Sequence, residues 1–246
     1  MDQLYDSIGK SYTDFRREDP RIAARIHAAL GDARTVVNVG AGAGAYEPRD
    51  LEVIAVEPSE TMIAQRPEGA APVVRASAED LPFGDHSFDA AMVVLSDHHW
   101  RDHDRGLAEL QRVARRVVLF TWDPATVHDF WLVSDYLPRF EDLIPEGFRI
   151  QQTIEALGGV RLEAVPVPHD CVDGFMGAYW RRPHAYLDPH VRASISACAL
   201  MDQTCLEEGM ARLDADLRSG AWERHHADLL KLEELDLGYR LLIHPP

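Results

Sequence analysis

The run Thr35-Val36-Val37-Asn38-Val39 opens directly into Gly40-Ala41-Gly42-Ala43-Gly44. Only eight residues separate Gly44 from the next apolar run, Val53-Ile54-Ala55-Val56. This arrangement constrains the fold more than any other feature of the chain. β-Branched runs of this length read as strands. Strands apolar along their length, alternating with helical stretches, form a parallel sheet covered on both faces. A glycine-rich turn at the carboxyl end of the first strand lets a ligand approach the backbone closely. Parallel neighbours need a crossover of about ten residues or more, usually a helix. Here Pro48 lies among the eight, and the glycine turn itself must be counted to reach that length, so any helix is at most one turn.

The rest of the chain extends the pattern. Residues 4–15 and 20–30 read as helices, the second capped by Asp19 with Pro20 at its first position and ended by Gly31. Ser59 caps a short helix running through Met62. Further strands are expected at 72–75, 88–95 and 117–121, with a helix near 104–114 before the last of these. Beyond Thr121 the reading is mostly helical: 123–137 and 153–157, then 189–200, 204–217 and 222–230. Two further strands fall at 160–165 and 238–243, so roughly seventy residues are inserted between them, a length usual for a functional or capping element. The expected fold is α/β: a Rossmann-like, seven-stranded, mostly parallel sheet with helices on both faces and a helical cap inserted before the last strand. The expected units are N-terminal helices over the site (1–34), the α/β core (35–165), the cap (166–236) and the final strand (237–246).

Charge excludes several partners. The chain has 25 Lys+Arg against 41 Asp+Glu, a net charge of −16, the wrong sign for holding phosphate backbones or acidic membrane surfaces. No apolar run reaches the ~18–20 residues of a membrane span. Met1-Asp2-Gln3-Leu4-Tyr5-Asp6 carries neither the basic nor the apolar region of a signal peptide. Cys171, Cys198 and Cys205 are too few and scattered for a disulfide framework. A cytoplasmic protein with neither nucleic acid nor membrane as partner is expected.

Glu57 ends the second strand, seventeen residues after Gly40, and a carboxylate there can hold both hydroxyls of a ribose. A dinucleotide site would prefer GxGxxG with a pyrophosphate on a helix N-terminus. Here the third glycine follows after one residue and Pro48 stunts the helix, which favours an adenosyl ligand without phosphate. Ala78-Glu79-Asp80-Leu81-Pro82-Phe83 and then Ser87-Phe88-Asp89 follow at a set distance. On these elements residues 36–122 resemble the class I S-adenosylmethionine (SAM)-dependent methyltransferases, most closely the small-molecule subgroup related to quinone biosynthesis.

The resemblance implies SAM as cofactor and a small-molecule methyl acceptor as partner, with a homodimer left open. It implies that Gly40 and Gly42 pass the methionine part, Glu57 holds the ribose, and Pro58 and Met62 pack near adenine. Ser77, Ala78 and Glu79 would contact the adenine edge, Leu95 and Ser96 would face the sulfonium, and Tyr12 would close over the methionine end. The chain departs from the pattern at Asn38, where the family usually has an acid, and at Ser77, which replaces a common Asp.

Methyl transfer mainly requires holding the acceptor in line and excluding water. Where the acceptor must lose a proton, Ser96-Asp97-His98-His99 after the fourth strand offers a base: His99 first, His98 second, oriented by Asp97 or Asp102. A polar helix start around a packed Trp100 is the bland alternative. His99 and His103 stand four apart, a spacing open to metal, but nothing else in the sequence supports a metal site. The cysteines, with no vicinal pair, read as small buried residues rather than thiolate ligands for arsenite. Trp122, Trp131, Tyr179 and Trp180 are candidate acceptor walls, although Tyr179 and Trp180 could equally anchor the insertion. Two further functions stay open: SAM binding without turnover, and a SAM-assisted reaction such as cyclisation.

Overall fold

A computed structural model describes residues 16–146 and 148–245. Tyr12 and the helix expected at 4–15 lie outside the described residues. Helix α1 (Pro20–Ala29) starts where Asp19 accepts the N–H of Arg21, with Pro20 at the first turn. Strands β1 (Thr35–Val39) and β2 (Glu52–Val56) follow, joined through turns with no helix between them. Then come α2 (Glu60–Ala64), β3 (Val73–Val74), β4 (Phe88–Val94), α3 (His103–Val113) and β5 (Ala114–Trp122). Helix α4 (Ile150–Leu157) and β6 (Arg161–Ala164) precede the insertion, and β9 (Tyr239–His244) closes the sheet.

The seven strands lie in the order β3-β2-β1-β4-β5-β9-β6. The pairs from β3 through β5 are parallel, and β9 is antiparallel to both β5 and β6. The period-two alternation of strand side chains builds two cores. Val36, Ala90, Met92, Val118, Phe120 and Ile243 face one side, covered by Ile22 and Ile26 of α1 and by the insertion. Val37, Val39, Ala91, Val93, Val117 and Leu119 face the other, covered by Leu107 and Leu110 of α3 and Leu157 of α4. Strand order reverses direction about β1, with β2 on one side and β4 on the other. A crevice at the carboxyl ends of these strands is therefore the expected ligand position of an open α/β sheet.

The structure corrects the helical reading of the later half. Residues 123–137 form no single helix: 3-10 turns cover Pro124–Asp129, Phe130 is extended, and one wide π turn covers Leu132–Tyr136. Instead of one helix at 189–200 there are two, α5 (Pro189–Ala193) and α6 (Ser196–Leu200). The buried Ser194 hydroxyl donates to Val191 O (2.7 Å), a local bond that competes with helix continuation, and Ile195 is extended. Helix α7 (Gln203–Ser219) ends at Gly220 in the left-handed region, which starts α8 (Ala221–His225). A two-stranded ribbon of β7 (Val167–Pro168) and β8 (Glu234–Leu235) ties the two ends of the insertion together. Among the described residues, no helix is long and apolar enough to cross a membrane.

Candidate active site

The glycine turn folds back over the end of β2. The N–H groups of Gly40 and Ala41 both donate to Val56 O (2.9 and 3.0 Å). Gly40 (φ +70°) and Gly42 (φ +52°) take the left-handed backbone that disfavours side chains. Space imposes the same choice at Gly40, where a Cβ would stand 2.3 Å from Ser96 Oγ. Ser96 in turn donates to Val39 O (3.2 Å), so the ends of β1 and β4 are held together at this point.

Glu57 is the hinge of the arrangement. Its Oε2 accepts the Gly42 N–H (2.8 Å) and its Oε1 the Ser59 N–H (2.9 Å), and the residue is 6% exposed. Ser59 then caps α2, which brings Met62 against the loop. On the opposite rim, Glu79 accepts the N–H groups of Arg101 and Asp102 (2.7 and 3.3 Å) and so braces the segment after β4 against the segment after β3. Burial opposes its ionisation, but these and neighbouring donors outweigh it and hold its carboxyl below the ordinary value.

These elements enclose a cavity of about 920 Å³. Gly40, Gly42, Glu57, Pro58, Met62, Ser77, Ala78, Glu79, Leu95 and Ser96 all line it, and so does His99. Arg16 and Tyr46, which the sequence reading passes over, line it too, as does Trp100, expected there only as a packed residue. Arg16 Nε donates to Asp173 Oδ1 (2.8 Å), while Tyr46, at φ +65°, donates its hydroxyl to Asp173 Oδ2 (2.8 Å). Asp173 belongs to the insertion, so the insertion pins the wall of the cavity through a wholly buried carboxylate. No local pattern marks such a long-range contact.

The histidines divide differently from expectation. Asp97 is wholly buried. It accepts from Thr121 Oγ1 (2.8 Å) and faces His103 Nε2 (3.5 Å) and His98 Nδ1 (3.9 Å). Burial resists its ionisation, yet His103 and His98 hold its carboxyl far below the usual range. Asp97 therefore sits with His98 and His103 and reaches His99 through its charge, and Asp102 caps α3 by accepting the Arg105 N–H. His99 stacks against His98 with ring centres 4.0 Å apart. Burial, then the His98 and Arg16 charges, push its pKa well below 6.5 against the opposing pull of the Asp97 charge, so the ring is neutral at pH 7. His98 does not line the cavity; it sits in an aromatic cluster with Trp122 and Phe148. His99 and His103 share no helix face, because His99 ends a 3-10 turn, Trp100 is extended, and His103 begins α3.

The expected aromatic walls are elsewhere. Trp131 and Trp180 are core residues, 4% and 0% exposed. Their indole N–H groups are satisfied by Trp180 O (2.8 Å) and Val167 O (2.9 Å), which makes them anchors of the insertion. Tyr179 lies under the Arg182 guanidinium (4.9 Å) and edge-on to Tyr186. Trp122 packs on Phe140 and Phe148. None of the four lines the cavity. Burial pushes the thiols of Cys171 and Cys198 up to about 12, which suits small core residues and not thiolates.

The residues present fit an adenosylmethionine. A carboxylate only accepts and offers about four lone-pair sites, so Glu57 on the cavity wall has the chemistry that a ribose diol requires. Asn38 is 1% exposed and lines the cavity, and among the described residues its Oδ1 has no hydrogen-bond partner. A buried acceptor of this kind suits a cationic donor in the cavity.

Comparison with known proteins agrees with this geometry. The family model described as a methyltransferase domain matches residues 37–120. A crystal structure from Anabaena variabilis, of a protein ascribed to methyl transfer in an antibiotic biosynthesis pathway, superposes with a TM-score of 0.87 at 32% identity, covering 94% of this chain and 99% of that one. The [4+2]-cyclase SpnF has the same fold, with a TM-score of 0.52 at 15% identity over 99% of this chain and 93% of its own. An uncharacterised protein of Methanocaldococcus jannaschii, MJ1252, is 29% identical over 141 residues, 55% of this chain. The chain spans 56% of the length of that curated relative. Taken with the strand order and the glycine turn, these matches establish that the chain belongs to the class I SAM-dependent methyltransferases, whose cofactor is SAM.

Proposed function

We propose that the chain transfers the methyl group of SAM to a small-molecule acceptor by in-line displacement within the cavity at the ends of β1, β2 and β4. The observation that carries this reading is that one cavity is lined at once by Glu57, Met62 and Ala78 and by Leu95, Ser96 and His99. SAM supplies a methyl on a cationic sulfonium, open to attack by a lone pair. In this reading Glu57 holds the ribose hydroxyls, and Gly40 and Gly42 let the backbone pass close to the methionine part. Pro58, Met62, Ser77, Ala78 and Glu79 bound the adenine end. Leu95 and Ser96 border the reacting methyl.

Most of the rate would come from position and from exclusion of water. His99 is neutral at pH 7 and so has a lone pair to accept a proton, but its lowered pKa makes it a weak base. It therefore suits acceptors whose proton is already loosely held. Arg16 and Trp100 line the same cavity and are proposed to face the acceptor together with His99; Trp122 and Tyr179 are left out because they do not reach it.

The test incubates the protein with methyl-labelled SAM and a panel of phenols, carboxylic acids, amines and thiols. A labelled product, formed more slowly by His99→Ala at unchanged SAM affinity, is the expected result. Conversion of a panel member without label transfer would replace the reading by a SAM-assisted reaction. Binding of SAM with no conversion of any member would point to a binding protein.

A further inference from the structure

Beneath the glycine turn lies an ion pair that the proposed chemistry does not use. Glu47 and Arg66 have side chains 8% and 5% exposed. Arg66 NH2 donates to both Glu47 oxygens, Oε1 at 2.7 Å and Oε2 at 2.8 Å, and to Ala71 O at 3.0 Å. The Ala71 N–H donates to Glu47 Oε2 (3.2 Å), and Arg66 NH1 donates to Gly42 O (3.2 Å). The carboxylate is thus fixed in place, and its charge is neutralised by the guanidinium. Among the described residues it makes one further hydrogen bond, to the cavity wall: Asn38 Nδ2 donates to Glu47 Oε1 at 3.1 Å.

That last bond sets the direction of an otherwise ambiguous group. A primary amide has an acceptor end and a donor end of nearly equal size, and it can turn over. An ionised carboxylate only accepts, so Glu47 selects the Nδ2 end of Asn38. The oxygen is left pointing away from Glu47, buried and without a partner among the described residues, on a residue that lines the cavity.

We propose that Glu47, clamped by Arg66, is a positioning residue that holds the Asn38 amide with its oxygen toward the cofactor, where it accepts a hydrogen bond from the α-ammonium of SAM. The proposal rests on SAM occupying this cavity. It explains why an amide stands at position 38. An aspartate there would place a second carboxylate at hydrogen-bond distance from Glu47, and one of the two would have to keep a proton. The chain divides the task instead: the charge sits in the Glu47–Arg66 pair, and a neutral oxygen of fixed direction meets the cation.

The experiment compares two ligands by calorimetry. S-adenosylhomocysteine carries the ammonium; methylthioadenosine keeps adenine, ribose and sulfur but has no amino-acid end. Asn38→Ala leaves the Glu47–Arg66 pair intact and should weaken homocysteine-ligand binding about tenfold, as expected for a charge-assisted bond, with methylthioadenosine unchanged. Glu47→Gln can present either end of its own amide, releases the direction of Asn38 and should shift the same ratio in the same sense. Asn38→Asp should weaken binding in a pH-dependent way. The exchanged pair Asn38→Asp/Glu47→Gln should restore it, because the amide introduced at position 47 then donates to the carboxylate introduced at position 38. Thermal melts identify variants that fail to fold, and the Asn38→Ala and exchanged-pair measurements carry the test without the Glu47 single variant. Equal losses for both ligands would mean a purely structural pair, and no loss for either, or no recovery on exchange, would equally overturn the proposal. Were the unaltered protein to bind neither ligand, the cofactor reading itself would fail; binding of both with equal affinity would refute only the ammonium contact.

Discussion

Replacing Glu57 with alanine should damage cofactor binding and the loop together, and the two effects can be separated. The carboxylate accepts one N–H from each side of the site, Gly42 at 2.8 Å and Ser59 at 2.9 Å. A hydrogen bond to a charged group contributes roughly 1.5–3 kcal/mol, and a donor left buried costs a similar amount. Water entering from the cavity can satisfy part of the loss, so the expected drop in folding stability is about 1.5–3 kcal/mol rather than twice that. The proposed ribose contact belongs to the same class of bond, and its loss should raise the Kd for S-adenosylhomocysteine about 10- to 150-fold. Denaturant unfolding reads the first effect and calorimetry the second. Adenosine keeps the ribose and should lose affinity in the same ratio. A Kd within about twofold of the unaltered protein, in a variant that melts cooperatively, would remove Glu57 from the sugar. Weakened homocysteine ligand with unchanged adenosine would place Glu57 at the wrong end of the cofactor.

The remaining predictions concern the stability of the fold that carries the site. Gly40→Ala, with its Cβ forced to 2.3 Å from Ser96 Oγ at φ +70°, should cost about 2 kcal/mol or more in urea unfolding, whereas Gly42→Ala meets only the flexible end of Met62 at 3.3 Å and should cost about 1 kcal/mol. Ser96→Gly should recover part of the Gly40→Ala loss, and equal losses at the two glycines would refute the steric argument. For pH, burial opposes the ionisation of Asp19, but the Arg21 guanidinium and the N–H groups of Val172 and Arg21 bring its pKa down to about 2 from 3.8. The ionised form therefore stabilises the fold fully above about pH 4, by about 2 kcal/mol, and this stability is lost as pH falls toward 2. Asp19→Asn should flatten the acid limb of stability measured against pH, and an unchanged slope would contradict it. His99 acts in the same sense at higher pH: the unfolded chain takes up a proton near pH 6.5 that the folded ring refuses, so stability declines as pH drops below that value.

Parts of the molecule governed by close sequence neighbours are legible in the sequence alone. Asp19-Pro20 starts a helix through contacts within two residues. Gly40-Ala41-Gly42 makes a turn that other residues resist, and eight residues with Pro48 leave no room for a crossover helix, as the turns between β1 and β2 bear out. Glu57 and Ser59 follow from their place at the end of a strand. The sequence is silent where a side chain's fate depends on distant partners. Trp131 and Trp180 have the composition of a ligand wall, yet carbonyls far along the chain bury them as anchors. The sequence offers Asp97 or Asp102 to orient His99, but Asp97 bonds Thr121 and His103 with His98 beside it, and Asp102 caps a helix. Nothing local in Glu47 announces a pairing with Arg66 nineteen residues on, or a hand on the amide of Asn38. Backbone conformation, turn chemistry and strand alternation are local properties, and the sequence by itself determined them. Burial, pairing and the proton affinity of His99 arise when segments far apart in the chain exclude water from one another, and only the tertiary structure decides which segments those are.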